Sequence, residues 1–336
     1  MTSRREFLGM AAAVCASDGK SLFTGSPKDY DENLTVFLSD MHIGSSSAAP
    51  KYQPMKFGGL VAEILRLNPL PKRVVVFGDI SWKAGILGDY EAAYSLFRPL
   101  SDAGIEITYG MGNHERRRMF LEKWPEYAKT SPVPGRIVSV VPLKHADLVM
   151  LDTLKGEVGG TEEIAGPGSA DLGDAQQEWL EDWVSKAKRP FFLASHHPEY
   201  EPSNCQLLVK GKRIDKFMWK YPLAAGYIHG HNHKWRTDLS VVHYSPNGQF
   251  PILGLPSAGY WGDIGYVLFR TSPKGARATL RQTEYFFARW TGDVTNPATH
   301  PAMWKERARQ NDGQTCLFTF PRDRPWSEER RKYYMQ

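Results

Sequence analysis

Short apolar runs alternate with amphipathic stretches from residue 34 onward, and nearly every run stops at a cluster of polar residues and glycine. Residues 34–38 read as a buried strand that ends in Ser39-Asp40. The spacing of apolar residues over 57–67 predicts a helix, stopped by Pro69 and Pro71. A β-branched run at 73–77 predicts a second strand, ending at Gly78-Asp79. A helix over 90–100 follows, then a strand over 105–109 that ends near Gly112-Asn113. The alternation returns with a strand over 147–152 and an amphipathic helix over 174–187, whose apolar side carries Trp179, Leu180, Trp183 and Val184. Strands at 190–194 and 224–228 end in Ser195-His196-His197-Pro198 and His229-Gly230-His231-Asn232-His233. Short runs between Gly and Pro over 237–290 read as strands and turns. Short strands separated by helices imply parallel βαβ units and an α/β fold. Ligands bind such sheets at the carboxyl ends of the strands, where these polar clusters fall.

Composition narrows the class without choosing a function. The 336 residues are 41% hydrophobic and 24% charged, with a formal net charge of +5, as in an ordinary globular chain. No basic stripe suits nucleic acid, and no nucleic-acid partner is expected; Arg116-Arg117-Arg118 and residues 322–332 read as solvated charge. Three cysteines without a CxxC pair exclude a Cys-based zinc module and a disulfide scaffold. Cys205 and Cys316 are either joined in an oxidising compartment or buried as free thiols. No apolar run approaches the roughly 18 residues that span a bilayer. Near the N-terminus, Arg4-Arg5-Glu6-Phe7-Leu8 precedes a small-apolar run from Met10 to Ala16. This resembles a twin-arginine export signal, cleaved after Ala16. It implies a signal over 1–16, a linker over 17–33, a bacterial periplasmic or otherwise exported destination, and the twin-arginine machinery as a partner.

Five short motifs then occur in one order: Asp40-Met41-His42, Gly78-Asp79, Gly112-Asn113-His114-Glu115, His196-His197-Pro198 and Gly230-His231-Asn232-His233. Together they resemble the DxH, GD, GNH[DE], H and GHxH signature of the calcineurin-like metallophosphoesterases. The resemblance runs from Asp40 to His233, with no signature position missing. It implies a four-layer αββα sandwich over 34–290, and the polar, Pro-rich stretch 291–336 reads as a wrapping extension. Oxygen and imidazole donors without thiolate suit two transition-metal ions, Mn, Fe, Zn or Co. Carried over by position, Asp40, His42 and His233 would hold one ion, Asn113, His196 and His231 the other, with Asp79 bridging. Period-two alternation in an extended segment would turn His231 and His233 to one side, and likewise Asp40 and His42. His114 would be the general acid, oriented by Glu115, and a metal-bridging hydroxide the nucleophile. His197 and His229 read as structural neighbours of the ligands, His243 as weaker still, and Tyr200 as a candidate lining residue.

Branch details follow. Trp82 stands where purple acid phosphatases need a tyrosine, three residues after Asp79, so a purple-iron site is disfavoured. Gly112 to Phe120, Leu151-Asp152-Thr153, Gln176 to Leu180 and His196-His197-Pro198 resemble the class III cyclic-nucleotide phosphodiesterases and bacterial glycerophosphodiesterases. By that resemblance Arg117, with Asn113, would meet a substrate phosphate. The expected activity is hydrolysis of a small phosphate diester. The alternatives are an exported phosphomonoesterase and a metal-bound scaffold without activity. The helical HExxH of a metalloprotease is missing.

Overall fold

The β-branched runs are apolar at consecutive positions because their strands are covered on both faces. The computed structural model describes residues 29–47, 49, 53–156, 170–201, 205–238, 251–260, 264–282 and 312–320. The expected signal over 1–16, His243 and most of 291–336 lie outside the described residues. Twelve strands build two six-stranded sheets: β1 (Tyr30–Leu38), β2 (Leu70–Val76), β3 (Glu106–Tyr109), β4 (Ser139–Pro142), β5 (Asp147–Met150), β6 (Phe191–Ser195), β7 (Ala224–His229), β8 (Arg236–Asp238), β9 (Ile252–Gly254), β10 (Tyr266–Ser272), β11 (Gly275–Arg281) and β12 (Thr315–Thr319). The first sheet has the order β12-β11-β10-β1-β2-β3 and the second β8-β9-β7-β6-β5-β4. Strands β1, β2 and β3 pair in parallel, as do β5, β6, β7 and β9, while the hairpin strands are antiparallel.

Alternation along each strand sorts the core into layers. Val36 and Leu38 of β1 and Val74 and Val76 of β2 face the helices α1 (Gln53–Ile64), α2 (Leu87–Asp102) and α3 (Arg117–Lys123). Phe37 and Val75 face the other way, into a core shared with Leu148, Phe192, Ala194 and Ile228 of the second sheet. Val149, Phe191 and Leu193 then face α5 (Asp174–Lys186) and α6 (Ile214–Met218), α4 being the short turn Tyr127–Thr130. The result is helices, sheet, sheet, helices. In α1 the buried residues Phe57, Leu60, Val61 and Ile64 recur at the i, i+3, i+4, i+7 spacing that makes one apolar stripe. Each such side chain contributes roughly 1.5–3 kcal/mol when fully buried.

Two boundaries differ from the sequence reading. Strand β1 starts at Tyr30, inside the expected linker, where it pairs with Leu70. Residues 315–319, inside the expected extension, are the edge strand of the first sheet. Phe318 reaches across to Phe192, with ring centroids 5.1 Å apart, and a Cβ on Gly226 would lie 2.6 Å from its ring. Cys316 of the same strand is a free, buried thiol, pushed up to about 12 by burial. Among the described residues no helix is long and apolar enough to cross a membrane.

Candidate metal centre

Beyond their last ladder bonds, β1 and β2 continue side by side as loops. Asp40 N–H donates to Gly78 O at 3.1 Å, His42 N–H to Asp79 O at 2.9 Å and Ile43 N–H to Ile80 O at 2.8 Å. The backbone there is not extended. Asp40, His42, Asp79, His231 and His233 have φ of 56°, 50°, 49°, 69° and 52°, and among the described residues only Lys210 joins them as a non-glycine with positive φ. Left-handed backbone at a residue with a side chain costs about 1–3 kcal/mol and persists where the surroundings impose it. This corrects the period-two account of the two histidines. They face the centre from left-handed turns, one in each of the two expected groups.

The ligand atoms form two groups, each within 4.8 Å, that share Asp79: Asp40, His42, Asp79 and His233 in one, Asp79, His196 and His231 in the other. In the first, His233 Nε2 lies 3.2 Å from Asp40 Oδ1 and 3.2 Å from His42 Nε2, which is 3.6 Å from Asp79 Oδ2. In the second, His196 Nε2 lies 3.3 Å from Asp79 Oδ2 and 3.0 Å from Asn113 Oδ1. His231 Nδ1 lies 2.9 Å from Asn113 Oδ1 and 3.2 Å from His196 Nε2. His196 Nδ1 is 2.8 Å from Phe77 O, so that nitrogen carries the donating proton and Nε2 faces the cluster, where the neutral ring would offer a lone pair. Carboxylate, amide and imidazole acceptors therefore converge with too few donors between them. Only cations or extra protons satisfy such a set, and its chemistry fits two metal ions. Glycine is required where the loops meet: a Cβ on Gly230 would lie 2.0 Å from Ser39 Oγ, and one on Gly112 2.3 Å from Asp79 Oδ1.

Electrostatics match this picture. Burial raises the Asp40 carboxyl, but His233 outweighs it and draws it down to about 2. Asp79 is likewise buried, yet His196, His114 and His42 hold it well below the usual carboxylate range. Burial pushes His42 down to about 3. His196 is also buried, but Asp79 beside it wins and raises it to about 9. Without metal, the cluster at neutral pH thus holds two carboxylates and keeps a proton on His196.

His114 stands at the mouth, its side chain 29% exposed against 3% for Asp79. Its Nδ1 lies 3.2 Å from Lys83 O, which leaves Nε2 facing Asp79 Oδ2 at 3.9 Å. Glu115 does not touch His114 in the way expected of an orienting group. Its carboxylate instead accepts backbone amides of Asp79, Ile80, Ser81 and Gly112. Arg117 is a second correction. It is fully buried and bidentate to Asp152, with Nε at 2.6 Å and Nη2 at 2.7 Å, and it also donates to Gly156 O and Leu154 O. A guanidinium so committed is structural and does not meet a substrate phosphate. Asn113 sits in the cluster through its side-chain oxygen.

The branch-like motifs close around that ion pair. Gln176 accepts the Asp152 N–H and donates to its carbonyl, and Thr153 Oγ1 lies 2.8 Å from His197 Nδ1. His197 and His229 are buried, and His229 Nδ1 donates to Gly230 O. Tyr200 is exposed, with the Arg213 guanidinium over its ring. Trp82 packs its ring edge-on to His42 and Tyr260. Sequence reasoning missed Ser39, whose Oγ donates to Asp40 Oδ2 at 2.5 Å, and Ser257, whose Oγ donates to Asp40 O at 2.8 Å. It missed Tyr260 too, with its ring 4.5 Å from His42. A signal existed: Ser257 and Tyr260 follow the apolar run 252–255, a strand end like the others.

A family model described as calcineurin-like phosphoesterase matches residues 34–235, more than half of the chain. The chain belongs to this family. Among solved structures it is similar to a dimetal phosphatase from Danio rerio, at 13% identity over 74% of this chain and 95% of that one, with a TM-score of 0.55. It is also similar to TT1561 of Thermus thermophilus, at 13% identity over 71% and 94%, with a TM-score of 0.44. No functionally curated protein matches the chain by sequence. The first likeness supports the fold, and the family with the His/Asp cluster makes this a metal-dependent phosphoesterase.

Proposed function

We propose that this phosphoesterase hydrolyses small phosphate diesters, and that Asp40, His42, Asp79, Asn113, His196, His231 and His233 hold its two ions. The observation that carries the diester preference is the way the diesterase-like motifs pack together behind the centre, Gln176 on both backbone groups of Asp152 and Thr153 on His197. Two ions held there would acidify a water for attack and neutralise the phosphoryl oxygens. His114 then supplies the proton for the leaving oxygen from Nε2, since Nδ1 is tied to Lys83 O. Export through the twin-arginine route is part of the proposal, resting on Arg4-Arg5 and the run that follows.

Turnover of bis(p-nitrophenyl) phosphate against p-nitrophenyl phosphate with added Mn tests the reading. The diester is expected to be the faster substrate. Faster monoester turnover would reverse the preference, and metal binding without either activity would point to a scaffold. N-terminal sequencing of protein from the exported fraction tests the targeting; a retained Met1 in the cytoplasm defeats it.

A further inference from the structure

Glu115 lies one residue past His114 and is fully buried. Its Oε1 accepts Ile80 N–H at 2.8 Å and Ser81 N–H at 3.1 Å, and its Oε2 accepts Asp79 N–H at 2.9 Å and Gly112 N–H at 2.5 Å. Three of these donors are consecutive amides of the loop that carries the shared carboxylate. The fourth precedes the ligand Asn113. One buried carboxyl side chain thus gathers the backbone of two ligand loops through four amide hydrogen bonds. Such an array of amides around a carboxylate fixes a turn that the sequence alone would not hold, because Asp79 must take a φ of 49°.

The neighbourhood is shaped to admit this carboxylate. A Cβ on Gly112 would lie 2.9 Å from Glu115 Oε2 and 2.4 Å from Asp79 N, so only glycine lets the side chain reach its four donors. Asp89 holds the far end of the same loop, accepting Ser81 Oγ–H at 2.8 Å together with Ser45 N–H at 2.7 Å. Asp79 Oδ1 accepts His114 N–H at 3.0 Å, while Oδ2 faces His42 and His196.

We infer that Glu115 is a positioning residue that sets Asp79 where one carboxylate reaches both ligand groups, and so makes the centre dinuclear. It acts on the ligand loop and not on the His114 proton. The inference rests on the two-ion reading of the site and is independent of the diester preference. Glu115→Gln keeps the shape but turns an N–H toward one pair of amides. Groups that orient a metal ligand typically govern affinity by 10- to 100-fold.

Calorimetric titration of metal-free full-length protein with Mn²⁺, well below its melting temperature, tests this. The unsubstituted protein is expected to take up two ions; Glu115→Gln should bind the weaker one about 10- to 100-fold less tightly. Amide exchange at Asp79, Ile80 and Ser81 in the metal-free protein should also quicken. Leu180→Ala, which opens the core under α5, controls for lost stability and should leave both affinities unchanged. Glu115→Asp keeps the carboxyl group with a shorter reach and should give a smaller loss; it also serves if the glutamine variant does not fold. Unchanged affinity for both ions in Glu115→Gln and Glu115→Asp, or equal weakening in Leu180→Ala, overturns the inference alone. Failure of the unsubstituted protein to bind two ions overturns it together with the site assignment.

Discussion

The two halves of the metal centre are built on different terms. Asp40, His42 and His233 carry a carboxylate of their own, and Asp40 is gripped by Ser39 Oγ, by the His231 amide at 3.1 Å and, through its carbonyl, by Ser257. Asn113, His196 and His231 offer only neutral donors, so an ion among them meets a single negative charge, that of Asp79. The first half joins the end of β1 to the loops after β7 and β9, through the His231 amide, His233 and Ser257. The second is likewise tied across the two sheets, since His196 at the end of β6 donates to Phe77 O just past β2. The difference teaches that a bridging carboxylate need not serve its two sites equally. It adds to charge already present in one and supplies all of it in the other.

The comparison can be broken or sharpened by experiment, beginning with the largest effect. His114→Ala should lower kcat by about 10²–10⁴-fold while elemental analysis still finds both ions, because its imidazole stands outside both halves. Loss of metal in that variant would make His114 part of the centre's framework. Arg117→Met should destabilise the fold by about 3–5 kcal/mol in urea, since Asp152 would be left buried without its partner. KM of the folded variant should not change, and Arg117→Met combined with Asp152→Leu should recover much of the loss. A raised KM with little loss of stability would restore the substrate role.

Ligand removal separates the halves directly. Asn113→Ala should retain one ion with nearly unchanged affinity, whereas Asp40→Ala should weaken the tighter binding step by about 100-fold or more. Equal losses would mean that the halves are equivalent. The smallest effect is a slope with pH. At pH 7 metal-free His196 is below its value of about 9 and keeps a proton, which an ion must displace. Affinity of the weaker step should therefore rise about tenfold per pH unit between 7 and 9, then level off. Asp40, at about 2, and His42, at about 3, hold no proton to displace in that window, so the tighter step should stay flat. Calorimetry in buffers of different ionisation enthalpy reads both the slope and the released proton.

Much of the frame was legible because its signals are local. The apolar runs at 73–77 and 190–194 and the stripe beginning at Phe57 announce strand and helix through period alone. Polar clusters at their ends place Asp79, Asn113 and His196 at one edge of the sheets before any coordinates are known. What stayed hidden depends on partners far along the chain. Nothing near Arg117 says that Asp152, 35 residues on, will consume its guanidinium. Nothing near Glu115 says that its oxygens will find the amides of Asp79 to Ser81 and not the imidazole next to it. The stretch 315–319 carries only a three-residue apolar run, Cys316 to Phe318, and its pairing with β11 rests on a register that no local pattern specifies.

By itself, then, the amino-acid order determined which donors exist, that they follow strand ends, and that their chemistry suits hard or borderline cations. Only the tertiary structure decided which donors converge in each group, which carboxyl side chain takes the loop amides, and which arginine is withdrawn from the site. The reason is physical: periodicity and side-chain chemistry are properties of neighbours in sequence. Burial, left-handed turns and the choice of hydrogen-bond partner are imposed by groups that meet only when the two sheets close on each other.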